Sequence, residues 1–150
     1  MRIYLAADHA GFKLKEEIKK FLSDLGHDVK DFGAFEEDEK DDYPDFMIPL
    51  AEEISKDPEN TKGILFGGSG QGEAIVANRF KGVRAVVYYG GEEEIVKLAR
   101  EHNNANVLSL GARFVSIDEA ENAVKIFLET TFDSGGENER HLRRINKIDN

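Results

Sequence analysis

The chain of 150 residues contains no cysteine. That excludes disulfides, thiolate metal sites and a catalytic thiol. No apolar run approaches the roughly 20 residues that cross a bilayer, so no membrane partner is expected. Basic residues are in deficit: 20 Lys and Arg stand against 30 Asp and Glu, a net charge of −10. Such a surface repels polyanions, and nucleic acid is not an expected partner. A small anionic ligand would need a local cluster of cations. The opening MRIYLAADHAG is too short and too soon charged for a secretory signal. The expectation is a cytoplasmic protein that starts at or near Met1. Internal repeats, low-complexity segments and linkers long enough to divide the chain are also missing, which leaves one domain over residues 1–150.

With 40% hydrophobic and 9% aromatic residues, the chain has the composition of a globular protein. Short apolar runs mark strands at Arg2–Ala7, His27–Phe32, Gly63–Phe66, Val83–Tyr88 and Asn106–Leu110. Helical spacing falls between them. Phe12–Leu25 carries a stripe of Phe12, Ile18, Leu22 and Leu25 and ends at Gly26. Tyr43–Lys56 follows, with Pro44 in its first turn and Pro49 weakening the pattern. Glu73–Asn78, Gly91–Glu101 and Ile117–Phe132 complete the alternation, and a last helix spans about 137–148. Strands that alternate with helices predict an α/β fold: a doubly wound three-layer sandwich with a five-stranded parallel sheet. Such sheets bind ligands at the carboxyl ends of their strands, near the point where strand order reverses. Asp8-His9 follows the first strand and a glycine loop follows the third. His102-Asn103 stands between a helix and the fifth strand, so its edge is not fixed by this argument.

The loop reads Gly67-Gly68-Ser69-Gly70-Gln71-Gly72-Glu73. It is not a dinucleotide fingerprint, because Gly68-x-Gly70 leads to Glu73 where glycine is needed. It lacks the Gly-Lys-Ser/Thr ending of a P-loop. It is not a nucleophile elbow, because Ser69 is not framed as G-x-S-x-G. What remains is a run of bare amides at a helix start, which suits an anion. A permanent carboxylate beside a phosphate would be repulsive. Beside a carbonyl it could remove a proton while the amides hold the resulting oxyanion. The plainer role for Glu73 is to complement the helix dipole, and the loop alone favours that role. Ser69 has its own plain role as a turn or capping residue.

Further segments join this loop: Asp8-His9-Ala10-Gly11, Asp42-Tyr43-Pro44, Ala77-Asn78, Gly82, Arg84-Ala85, Arg100–Val107, Gly111-Ala112-Arg113 and Arg140-His141-Leu142-Arg143-Arg144. In this order, over nearly the whole chain, they resemble the type B ribose-5-phosphate isomerase family, which includes galactose-6-phosphate isomerase subunits. The resemblance implies interconversion of an aldose phosphate and a ketose phosphate through an enediolate, with neither metal nor other cofactor. Many members carry a cysteine base just before the loop, where this chain has Gly67. Another branch uses a glutamate after the loop, and Glu73 matches it. On that reading the amides of Gly68, Ser69, Gly70, Gln71 and Gly72 hold the enediolate oxygen, and Glu73 moves the proton.

The resemblance assigns the remaining candidates. His102 would be the ring-opening acid, a task suited to a group that titrates near neutral pH; a dipole-stabilised helix-end histidine is its plain alternative. Asp8 and His9 would meet the substrate, His9 near the phosphate, although Asp8 also reads as a helix cap. Ser69 is placed with both the catalytic and the substrate-binding groups, Asn103 beside His102, and Tyr43 either along the sugar or in the core. Arg140 and Arg144 share a helix face and would bind phosphate, and Arg143 and Lys147 widen that basic strip. Leu142, Ile145 and Ile148 give the same helix an apolar side for docking. Glu137-Asn138-Glu139 stands inserted before Arg140 relative to the family pattern, which would displace this register. His102, Asn103 and Arg113 would reach the site from a neighbouring subunit, requiring a homodimer or dimer of dimers. His27 and the acidic run Glu36–Asp42 read as solvated surface, without metal-ligand spacing. The expected function is isomerisation of ribose 5-phosphate. The alternatives are a six-carbon aldose phosphate such as allose or galactose 6-phosphate, a non-catalytic sugar-phosphate sensor, and a subunit that works only with a partner chain.

Overall fold

Five strands form one parallel sheet in the order β2-β1-β3-β5-β4. The computed structural model describes residues 1–149. The strands are β1 (Arg2–Ala7), β2 (Asp28–Asp31), β3 (Thr61–Gly67), β4 (Ala85–Tyr88) and β5 (Val107–Gly111). The helices are α1 (Phe12–Asp24), α2 (Pro44–Lys56), α3 (Gln71–Ala77), α4 (Glu94–Asn103), α5 (Ile117–Glu129) and α6 (Glu139–Asp149). The strand order reverses between β1 and β3, where Ala7 lies opposite Phe66. The segments Asp8-His9 and Gly67–Gly72 therefore leave the sheet side by side.

The central strands are apolar on both faces because both are covered. Ile64 and Phe66 of β3 enter one core with Leu14, Ile18 and Leu22 of α1, Val96 and Ala99 of α4, and Ala123, Val124 and Phe127 of α5. Leu65 enters the other core with Met47, Leu50, Ala51 and Ile54 of α2 and Ala77 of α3. That buried stripe carries α2 straight through Pro49. Tertiary packing offsets the missing backbone donor.

Several boundaries differ from the sequence reading, each for a local reason. β3 begins two residues early because Thr61 and Lys62 pair with Arg2 and Ile3. β4 begins late because the Arg84 N–H is taken by the Asn106 side chain at 2.8 Å rather than by a ladder partner. α4 begins late because Gly90 and Gly91 hold φ of +101° and +93°. α5 stops at Glu129, capped by an extended Thr130. Gly136–Asn138 form a 3₁₀ turn, and α6 opens on Glu139, so two of the three inserted residues lie in that turn. α6 docks through His141 and Ile145, not through the expected Leu142–Ile145–Ile148 side: Ile148 is 75% exposed.

Candidate functional site

The bend from β3 into α3 is fixed by its neighbours. The Ala112 N–H donates to the Gly67 carbonyl at 2.8 Å and the Arg113 N–H to that of Gly68 at 3.1 Å. The Ser109 hydroxyl donates to the Gly70 carbonyl at 2.7 Å, holding that residue at φ +78° as the N-cap of α3. The loop carbonyls thus face β5 and the turn after it. Ser69 Oγ accepts the Gln71 N–H at 3.3 Å, the turn role that its sequence position allows.

Glu73 lies in the first turn of α3 and is 4% exposed. Its carboxylate lies where a side chain on residue 67 would begin, since a Cβ built on Gly67 would overlap that group. Gly67 therefore makes room for Glu73. Burial pushes the Glu73 carboxyl above its ordinary value; the Glu73 backbone N–H opposes this, and the nearby Asp8 charge adds to it. Tyr43 and Arg113 close the loop from either side: a Cβ on Gly72 would meet the Tyr43 ring at 2.9 Å, and one on Gly68 the Arg113 guanidinium at 3.1 Å. Arg113 thus stands against the loop of its own chain, which corrects the expectation that a neighbour delivers it.

Asp8 Oδ1 accepts the Gly11 N–H at 3.1 Å, the cap-like role. His9 is held by a residue that the sequence reading left on the surface. Its backbone N–H donates to Asp41 Oδ1 at 3.1 Å, and its Nδ1 lies 2.6 Å from the same oxygen. The hydrogen bond to Asp41 raises the His9 pKa, burial opposes it, Asp8 adds to it and Arg113 opposes it. Asp8, His9 and Asp41 also have ligand atoms within 4.8 Å of one another, a spacing a metal ion could bridge. His9 Nδ1 and Asp41 Oδ1 also lie within hydrogen-bond distance of each other.

The other candidates gather elsewhere. α4 runs back against the direction of the strands, so His102 and Asn103 at its end lie toward the amino edge of the sheet, away from Glu73. His102 stacks on His141 of α6, with ring centroids 4.4 Å apart and planes within 5°. Burial lowers the His141 pKa, and His102, Arg140 and Arg144 lower it further. One chain therefore holds two groups. Asp8, His9, Tyr43, the loop, Glu73 and Arg113 form the first; His102 and the arginine face of α6 form the second. An apolar recess lined by Val86, Val87, Ile95, Leu98, His102 and Asn103 runs between α4 and β4 beside the second group.

The profile of the ribose/galactose isomerase family matches residues 3–148. The chain belongs to that family. Its relatives in the family include ribose-5-phosphate isomerase B of Mycolicibacterium paratuberculosis, 43% identical over 145 residues, covering 97% of this chain and 87% of the relative. A crystal structure of ribose-5-phosphate isomerase B from Mycoplasma genitalium with bound ribulose-5-phosphate superposes with a TM-score of 0.91 at 41% identity, covering 99% of this chain and 93% of that one. A ribose 5-phosphate isomerase from Thermotoga maritima gives 0.88 at 41% identity, covering 99% and 97%. The expected family and three-layer parallel fold are both borne out.

Proposed function

We propose that the chain interconverts ribose 5-phosphate and ribulose 5-phosphate, acting as one isomerase domain. In the aldose-to-ketose direction Glu73 takes the proton from C2. The electron pair moves through C1–C2 onto the carbonyl oxygen and forms the enediolate. Glu73 returns the proton to C1, O2 becomes the ketone, and its hydroxyl proton passes to O1. The amides of Gly68–Gly72 stabilise the negative oxygen in the transition state. The observation that carries this reading is the Glu73 carboxylate itself: it is buried against bare Gly67, at the start of an amide-lined turn, with its pKa raised toward the working range of a base. His9 and Arg113 supply positive charge beside it.

The substrate must also be opened from its ring form, and His102 is the group suited to that. Its distance from Glu73 within one chain supports a homodimer, or a dimer of dimers, in which a second copy brings His102, Asn103, Arg140 and Arg144 to the first group. Exposed Ile75, Tyr89 and Phe114 (61%, 56% and 62%) on or beside the elements of the first group favour such a contact. A cytoplasmic location belongs to the same proposal; among the described residues no helix is long and apolar enough to cross a membrane.

Proton NMR of ribose 5-phosphate with the purified protein in deuterated water tests the reaction. Ribulose 5-phosphate carrying solvent deuterium is the expected product. Neither product nor exchange, with five-carbon and then six-carbon aldose phosphates, would overturn the isomerase reading. Sedimentation of a fully active monomer would overturn the shared site.

A further inference from the structure

The His9–Asp41 pair joins positions 32 residues apart, and no local turn explains it. One carboxylate oxygen engages both the backbone N–H and the ring Nδ1 of the same residue, which fixes the ring's position and its rotation. The Asp41 side chain is only 9% exposed, whereas the His9 ring is 28% exposed. Asp41 Oδ2 is buried and has no hydrogen-bond partner among the described residues. A sealed carboxylate with one unpartnered oxygen is costly for stability unless its counter-charge is permanent. The segment before it is pinned as well. Lys15, wholly buried, bonds both oxygens of Asp31 at 2.8 and 2.7 Å and the Ala34 carbonyl at 2.8 Å. The acidic loop therefore starts from a fixed point.

The geometry points to Asp41 as a positioning residue that holds His9 as an imidazolium, with Nδ1 engaged and Nε2–H presented to the substrate's phosphate. It rests on the proposed isomerase reading, in which His9 meets the phosphate end. The chemistry follows from the two nitrogens. A neutral His9 with its proton on Nδ1 offers only a lone pair at Nε2, which repels a phosphate oxygen. The cation donates from both nitrogens, and its bond to phosphate is charge-assisted. Three charged groups face the ring: Asp8, Asp41 and Arg113. Asp8 is already engaged by the Gly11 N–H. Arg113 opposes the cation, so Asp41 is the group that sustains it. The raised pKa of His9 agrees with this arrangement.

Asp41→Asn tests it, because the amide keeps the acceptor and removes the charge. In the wild type, the His9 ring resonances, assigned by their loss in His9→Gln, are expected to show a protonated Nδ1 and to titrate above the ordinary value. In Asp41→Asn the midpoint should fall toward the ordinary value. Inorganic phosphate is the binding probe. Its affinity should match the wild type or exceed it at pH 6, where both rings are charged, and drop about tenfold below it at pH 8. The kcat on ribose 5-phosphate should stay within about threefold, since Glu73 is untouched, while KM follows the phosphate affinity. A merely structural Asp41 would weaken phosphate equally at both pH values, and that result overturns the proposal. An unchanged His9 titration overturns it too. If Asp41→Asn fails to fold, the wild-type spectrum decides alone: a neutral His9 at pH 7 sinks the idea. The His9 titration and the phosphate affinity need no turnover, so an inactive protein with a charged His9 would overturn the isomerase reading and leave the pair standing.

Discussion

The two edges of the sheet are both lined with buried polar groups, and they use them differently. At the amino edge the groups are closed on one another. Asn106, wholly buried, accepts the Arg84 N–H and donates to the carbonyls of Pro58 and Gly82 at 3.2 and 2.8 Å. Arg84 reaches the Asn104 and Gly82 carbonyls and Asp149. Arg100 donates to the Thr130 and Ala105 carbonyls and to Asn104 Oδ1. At the carboxyl edge the loop carbonyls are held, while the Glu73 carboxyl is buried with its pKa raised and Asp41 Oδ2 has no hydrogen-bond partner among the described residues. Satisfied polar groups fix a fold; unsatisfied ones next to bare backbone are available for chemistry.

That contrast can be broken most strongly at Glu73. Glu73→Gln should lower kcat about 10³-fold with no loss in unfolding midpoint, measured by coupled assay and urea titration. The acid limb sharpens the same point. Only the ionised carboxylate is a base, and its pKa is raised. The fall in kcat on acidification should therefore centre above the ordinary glutamate value of about 4.3. At the other edge the effects should reverse in kind. Asn106→Leu strands the Arg84 N–H and the Pro58 carbonyl, and should cost about 2–3 kcal/mol of stability while folded protein keeps its kcat. The smallest effect belongs to Lys62, an amino-edge cation that is poorly matched among the described residues. It is 6% exposed, and burial, then Arg100, lower its pKa to about 8, with Glu59 opposing and Arg84 lowering it further. The unfolded amine titrates near 10.4, so stability should rise with pH between about 8 and about 10.4. The penalty is fully present at neutral pH. Lys62→Met should stabilise by about 1 kcal/mol at pH 7, and the gain should shrink across that window in thermal melts.

What was legible in the sequence follows the same division. β1, the strand–loop–helix order around the glycines and the course of α2 lay in contiguous patterns, and the bare loop with an acid after it marked the candidate site. Asp41 was missed because it sits in a run of acids, Glu36–Asp42, that looks solvated throughout. Only its packing against His9, 32 residues away, sets it apart. The one available signal was its place beside the Asp42-Tyr43-Pro44 motif, whose tyrosine also reaches the loop. Arg113 was assigned to the wrong chain because sequence order says nothing of which copy's loop a side chain touches. The ends of β4 and α4 slipped because a side-chain amide and two left-handed glycines outweighed apolar periodicity.

The overlap between the Glu73 carboxylate and the missing side chain of Gly67 has a chemical consequence. A thiolate in that position would be open to peroxide, to alkylating agents and to disulfide exchange, all of which attack the ionised sulfur. A carboxylate has no comparable oxidation ladder. With no thiol anywhere in its 150 residues, this chain should keep its turnover through hydrogen peroxide and iodoacetamide concentrations that silence a thiol-dependent isomerase.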